Sequence, residues 1–344
     1  MIDIKSLYYP ELESFITENN FPKFRAKQIS DWLKKGVKSF EEMKNLPKNL
    51  IEFLSGSSYI SVANIEKKLV SRYDKTVKYL FRLYDGEFVE TVVMSYHYGY
   101  SICVSTQVGC KMGCTFCATG KSGFSRSLTA SEILSQIETA QEDLNVRISN
   151  VVLMGMGEPL DNFDNVVRFL RIVSSDYSLN IGMRHITLST CGIVPKIYEL
   201  ADLKFPITLS VSLHAPDNET RSRTMPVNNR YPVETLIKAC RDYFDKTGRR
   251  VSFEYAMIDG VNDSDECAKK LGILLKGLNC HVNLIPVNPV KGADYKKSRI
   301  ERQKAFINIL SKYSTKATVR RTLGSDINAS CGQLKRNHTE EGGK

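Results

Sequence analysis

Long apolar runs are missing from this sequence: nowhere in its 344 residues does one approach the roughly 20 residues that a membrane-spanning helix needs. The stretch from Met1 to Glu11 also lacks the basic-then-apolar build of a signal peptide. Together these predict a chain that stays in the cytoplasm and meets no membrane. A disulfide framework is missing too. Nine cysteines, an odd number spread over a chain this long, do not resemble the paired set of a small secreted domain, and reduced thiols serving a metal centre fit better. Acidic residues are the minority charge, 38 against 48 basic, and the net charge of +10 points to a polyanionic partner, most simply nucleic acid. A hydrophobic content of 42% with 25% charged residues is that of an ordinary globular protein, and the length allows one large domain plus a smaller one.

What is present centres on Gly109 to Cys117. Cys110, Cys114 and Cys117 form a CxxxCxxC array in a short glycine-containing loop, able to turn three sulfurs toward one thiolate-loving centre. No histidine or further cysteine follows closely, so the fourth ligand of a closed zinc site is lacking. A four-iron cluster held by three thiolates keeps one iron open for a cofactor. A zinc knuckle completed from elsewhere in the chain, or plain buried cysteines, are the other readings of the same spacing.

The first 55 or so residues read as small helices: Pro10 opens one with Leu12, Phe15 and Ile16 on a face, and Ile29 and Trp32 stripe the next. Around that second stripe lie Lys23, Arg25, Lys27, Lys34, Lys35 and Lys38, a basic face suited to RNA or simply to solvent. From about Ile60 the pattern alternates, and Asp85–Gly86 between two apolar runs signals a hairpin. Glu90, inside the second run, is expected to point outward. Strands and helices then alternate to the end of the main body, and Thr129 with Glu132 makes a capping box. Such alternation predicts a parallel α/β sheet, a barrel or part of one, whose active site lies at the carboxyl ends of its strands. Gly155–Met156–Gly157–Glu158, Ser189, Ser212 to His214 and Asn288 all fall there. The glycines permit close approach of a ligand, and a carboxylate can receive an ammonium group.

The cysteine loop followed by Ala118–Thr119–Gly120 resembles that of the radical S-adenosylmethionine (SAM) enzymes. The segments Ile102 to Cys110, Met154 to Leu160, Leu188 to Gly192, Ser212 to Ala215, Met225 to Asn228 and Asp326 to Leu334 together resemble, in order, the radical SAM RNA methyltransferases acting at adenine C2. The resemblance implies an α/β fold: a partial (β/α)6 barrel over residues 98–324, a helical accessory RNA-binding domain at 1–58, a short antiparallel β extension at 59–97 and a C-terminal segment at 325–344. It implies a [4Fe-4S] cluster on Cys110, Cys114 and Cys117, and two SAM molecules per turnover bound through Gly157, Glu158, Ser189, Ser212, Leu213, His214 and Asn288. Cys331 is implied as methyl carrier, Cys103 as the thiol that resolves the RNA adduct by forming a disulfide, and Glu90 as proton acceptor. The implied partners are 23S rRNA, tRNA and an electron donor such as flavodoxin or ferredoxin, with the enzyme a monomer.

Two rivals stand beside this reading. Methylation at adenine C8 uses the same cysteines, but Pro159 and Cys191 match the C2 enzymes more closely. A zinc-dependent RNA-binding protein without catalysis is the rival from another class. The bases to be modified must leave their stack, and Arg184, Arg221, Arg223, Arg320 and Arg321 are the candidates to clamp them. Cys191, Cys240, Cys267 and Cys280 read as packing residues.

Overall fold

The computed structural model describes residues 1–287 and 295–329, so Asn288 and Cys331 lie outside the described residues. The chain opens with β1 (Ile2–Asp3), α1 (Tyr9–Glu18), α2 (Phe24–Lys34), α3 (Lys48–Ser57) and β2 (Ser58–Tyr59), with β1 and β2 paired in parallel. Pro10 sits in the first turn of α1, where its missing N–H costs nothing, and Glu11 reaches back to accept from Tyr8 N at 2.8 Å. Leu12, Ile16, Ile29, Leu50 and Leu54 make a core of their own. This unit is tied to the main body through part of its basic face. Lys34 donates to the Asp176 carbonyl, Lys38 pairs with Glu142 at 2.9 Å, and Arg168 binds Glu11. Lys34 and Lys38 are thus anchored to the main body, and Lys35 lies over the Trp32 ring.

Three antiparallel strands follow: β3 (Asn64–Val70), β4 (Val77–Arg82) and β5 (Phe88–Tyr96). The turn between β4 and β5 contains Asp85–Gly86, with Gly86 at φ +85. These strands continue the main sheet, because β5 pairs antiparallel with β6 (Gly99–Cys103). After β6 come β7 (Gln107–Gly109), α4 (Ala118–Lys121), β8 (Phe124–Ser127), α5 (Ala130–Leu144), β9 (Ile148–Leu153), α6 (Phe163–Ser174), β10 (Ile186–Thr190) and α7 (Val194–Asp202). The chain continues through β11 (Thr208–Ser212), α8 (Asn218–Thr224), α9 (Val233–Thr247), β12 (Val251–Met257), α10 (Asp265–Leu274), β13 (Cys280–Pro286), α11 (Ile300–Lys312) and β14 (Lys316–Val319). The capping box at the start of α5 is formed: Glu132 accepts from Thr129 N and Thr129 from Glu132 N, at 2.9 and 3.2 Å.

The ten-stranded sheet runs β14-β13-β12-β11-β10-β9-β6-β5-β4-β3, parallel from β14 to β6 and open at both edges. It holds six β/α units plus β14, a seventh parallel strand that the sequence pattern did not reveal; three of its four residues are exposed, so no buried alternation marks it. Apolar side chains between the sheet and the flanking helices form the large core.

The chain after β14 crosses from one sheet edge to the other. Gly324 N donates to Asp74 at 2.7 Å, Asp326 accepts from Ser71 Oγ at 2.7 Å and Arg72 N at 2.9 Å, and Lys78 Nζ donates to the Asn328 carbonyl at 2.9 Å. This strap covers one face of β5. Glu90, expected to point outward, is instead fully buried and paired with Lys78 at 2.9 Å. Periodicity tells which face a residue occupies and not what covers that face.

Candidate active site

β7 and β8 form a separate two-stranded ribbon that holds the ends of the cysteine loop. Cys110 N donates to the Gly123 carbonyl at 2.8 Å. Gly109 has φ +82, and a Cβ there would lie 2.1 Å from that same carbonyl oxygen, so no other residue fits. Within the loop, Cys117 N donates to Cys114 O at 3.1 Å, and Thr115 N to Thr224 O at 3.0 Å, which seats the loop on the end of α8. The Phe116 ring stands edge-on to His214, centroids 4.9 Å apart.

The three thiols are neither fully buried nor free in water. Burial, reinforced by the charges of Glu158, Cys117 and Asp161, pushes the Cys110 thiol up to about 12, and burial with the other two thiols pushes Cys114 up as well. Among the described residues, no three His, Cys, Asp or Glu side chains are gathered closely enough to hold a single metal ion. The donor set fits a thiolate-ligated iron-sulfur cluster: three cysteines on one loop, each within electrostatic reach of the others, at the carboxyl end of the sheet. Loading such a centre releases the thiol protons.

The turn after β9 is packed closely against its neighbours. Cβ atoms at Gly155 and Gly157 would lie 2.5 Å from Val104 O and from Gln107 Cβ, so these glycines let the turn pack against the chain that follows β6. Glu158 accepts from Leu160 N at 3.0 Å and from Cys191 N at 2.7 Å, fastening the end of β9 to the end of β10. Burial raises its carboxyl above the usual range, against the pull of those N–H groups.

Ser189 is buried on β10, and Ser212 ends β11. Leu213 is fully buried, its N–H donating to Glu254 O and its carbonyl accepting from Arg221 Nε. His214 adopts φ +57, and its Nδ1 accepts from Ala256 N at 2.8 Å, which places the ring proton on Nε2. Burial, aided by the Arg221 charge, pushes the imidazole down to about 3.

That shift has a sign. Between about pH 6.5 and 3 the unfolded chain binds a proton that the folded ring refuses, so stability is fully present above 6.5 and declines below it, by about 1.4 kcal/mol per pH unit. Urea denaturation of wild type and His214→Asn at pH 7, 6 and 5 is expected to show a shallower pH dependence in the variant; parallel curves would show that the ring titrates normally.

Several residues of the site carry no motif. Arg221, named above as an RNA clamp, is fully buried: it donates to the Cys191, Ser212 and Leu213 carbonyls and to Asn228, joining the ends of β10 and β11. Glu254, beside Ser212 in register, accepts from Ser210 and Asn283, while its buried Oε2 has no hydrogen-bond partner among the described residues. An acid inside the otherwise apolar-looking Val251–Met257 strand was the available signal.

At the same end of the sheet lies a cavity of about 460 Å³, the size of a small-molecule pocket. Cys103 at the end of β6, Met154 after β9, and Arg320, Arg321 and Ala329 of the strap all line it. Of the remaining arginines, Arg184 precedes β10 at the amino end of the sheet and Arg223 lies on α8. Cys240 and Cys280 are buried and Cys191 is held by Glu158.

Comparison with known proteins is consistent across sequence and structure. Residues 104–271 match the model of the radical SAM superfamily, and residues 2–60 that of the ribosomal RNA large subunit methyltransferase N-terminal domain. A protein of Alkaliphilus oremlandii described as a probable dual-specificity RNA methyltransferase RlmN is 56% identical over 98% of this chain and 99% of its own. One of the same description from Clostridium acetobutylicum is 54% identical over 96% of each. The crystal structure of a radical SAM methyltransferase from Sphaerobacter thermophilus, 43% identical, superposes with a TM-score of 0.91 over 97% of this chain and 99% of that one.

Proposed function

Because the chain belongs to the RlmN family of dual-specificity RNA methyltransferases, within the radical SAM superfamily, we propose that it methylates C2 of adenosine in 23S rRNA and in tRNA by way of a methylated cysteine. It is a radical SAM enzyme with a [4Fe-4S] cluster and SAM as cofactors. Cys110, Cys114 and Cys117 would hold the cluster, and Glu158, Ser189, Ser212, Leu213, His214 and Asn288, with the Gly157 backbone, would surround SAM. When bound, the cluster supplies the electron that splits SAM into a 5′-deoxyadenosyl radical, able to abstract hydrogen from a thioether methyl.

The chain's own residues do the rest. Adenine C2 is an electron-poor amidine carbon, which a methyl sulfonium does not alkylate directly. Cys331 therefore takes the methyl first as a thioether, then bonds through that carbon to C2. Glu90, which is buried and paired with Lys78 at 2.9 Å, accepts the C2 proton. The Cys103 thiolate attacks the Cys331 sulfur, the carbon–sulfur bond breaks with its electron pair left on the departing carbon, which takes a proton to become the methyl group on C2, and a disulfide remains. The observation that carries this reading is one cavity shared by Cys103 and by Ala329, two residues before Cys331 in sequence. The helical unit at 1–58 serves as an RNA-binding accessory domain, and the enzyme works as a cytoplasmic monomer reduced by a flavodoxin or ferredoxin.

Mass spectrometry of nucleosides from total RNA tests the position. Cells with this protein are expected to contain 2-methyladenosine in rRNA and tRNA, and cells without it none. A change confined to 8-methyladenosine would overturn the C2 assignment.

A further inference from the structure

The hairpin joining β5 and β6 closes on the pair Tyr96 and Gly99, leaving His97 and Tyr98 as its tip. The positive φ this turn requires is taken by Gly99, at +124, so nothing in the backbone calls for an aromatic residue at 98. Yet the Tyr98 ring lies 5.0 Å from that of Tyr96 and within 6° of parallel, and His97 stands edge-on to it. Tyr96 is half-buried and lines the cavity that contains Cys103; Tyr98, stacked on it, is 57% exposed. Arg320 and Arg321, both exposed, line the same cavity. An aromatic step therefore leads outward from the cavity toward the amino end of β6, and two exposed cations line the same cavity.

We propose that Tyr98 is a stacking platform for the nucleobase adjacent to the target adenosine, with Arg320 and Arg321 meeting the phosphates between the two nucleotides. The proposal rests on the RNA-methylating reading above. A target base that enters the cavity leaves its own stack, and its neighbour is left with a bare face that an exposed tyrosine can cover. Stacking accepts any base, which suits one site serving two RNAs of different sequence. Electrostatic contact with the backbone adds affinity without reading sequence.

The test uses cluster-loaded protein under anaerobic conditions and an anticodon stem-loop RNA carrying 2-aminopurine beside the target adenosine, on its 5′ side in one probe and on its 3′ side in another. Wild type and Tyr98→Trp are expected to quench one probe on binding, while Tyr98→Ala loses the quench and binds about tenfold more weakly. Arg320→Ala/Arg321→Ala should flatten the salt dependence of binding by up to about two units of slope. Quenching retained by Tyr98→Ala would overturn the platform, as would quenching of neither probe by a wild-type enzyme that methylates the RNA. Quenching by wild type without any 2-methyladenosine in the product would instead sink the methylation reading and leave the platform standing.

Discussion

Cys103→Ala, incubated anaerobically with SAM, reductant and RNA, is expected to accumulate RNA joined covalently to protein through Cys331. The substitution removes one sulfur from a buried site at the end of β6, a packing loss of about 1 kcal/mol that a chain of this size tolerates. In the proposed mechanism methyl transfer to Cys331 and bond formation to C2 do not use Cys103, so both should proceed. Release is the step proposed to need it, and among the described cysteines Cys103 lines the cavity. Steady-state product should fall on the order of a thousandfold. A nuclease-sensitive band of higher mass on a denaturing gel reports the adduct, and Cys103→Ala/Cys331→Ala should show none. Normal turnover by the single variant, or an adduct that persists without Cys331, would overturn the division of labour between these cysteines.

The second large effect concerns the cluster. Cys114→Ala should reduce iron from about four atoms per chain to almost none, with loss of the brown absorbance, while far-ultraviolet circular dichroism stays unchanged. The fold survives because the loop is held by its backbone: Cys110 N on Gly123 O, Thr115 N on Thr224 O and Cys117 N on Cys114 O are bonds that alanine retains. The metal does not survive, because two thiolates leave two irons without a protein ligand. Cys267→Ala, a partly exposed cysteine on α10, is the control and should load fully. Full iron content in Cys114→Ala would remove the cluster from this loop.

Much of this architecture was legible before any coordinates. The Thr129 and Glu132 box, the Asp85–Gly86 turn and the alternating apolar segments are local signals, and local signals are what a sequence carries. The spacing of Cys110, Cys114 and Cys117 was equally readable, since one loop holds all three. The unread features depend on partners far along the chain. Glu90 is an ordinary outward residue until a segment some 240 positions later covers it, and Lys78 gives no hint that it will meet both Glu90 and Asn328. Arg221 looks like a surface cation because a guanidinium is seldom fully buried; only the convergence of three carbonyls from two strand ends accounts for it. Gly155 and Gly157 were singled out for ligand approach, and what the sequence did not show is that backbone and side-chain atoms already fill the space a Cβ would need.

The strap that crosses from one sheet edge to the other also sets a date for the enzyme's maturity. Synthesis proceeds from the amino end, so Asp74 and Lys78 leave the ribosome 250 residues ahead of Gly324 and Asn328, the groups they bind. By then the earlier strands have had time to pair, for domains fold as they emerge. Each molecule therefore gains the wall of its own cavity only after the strands that the wall spans are in place.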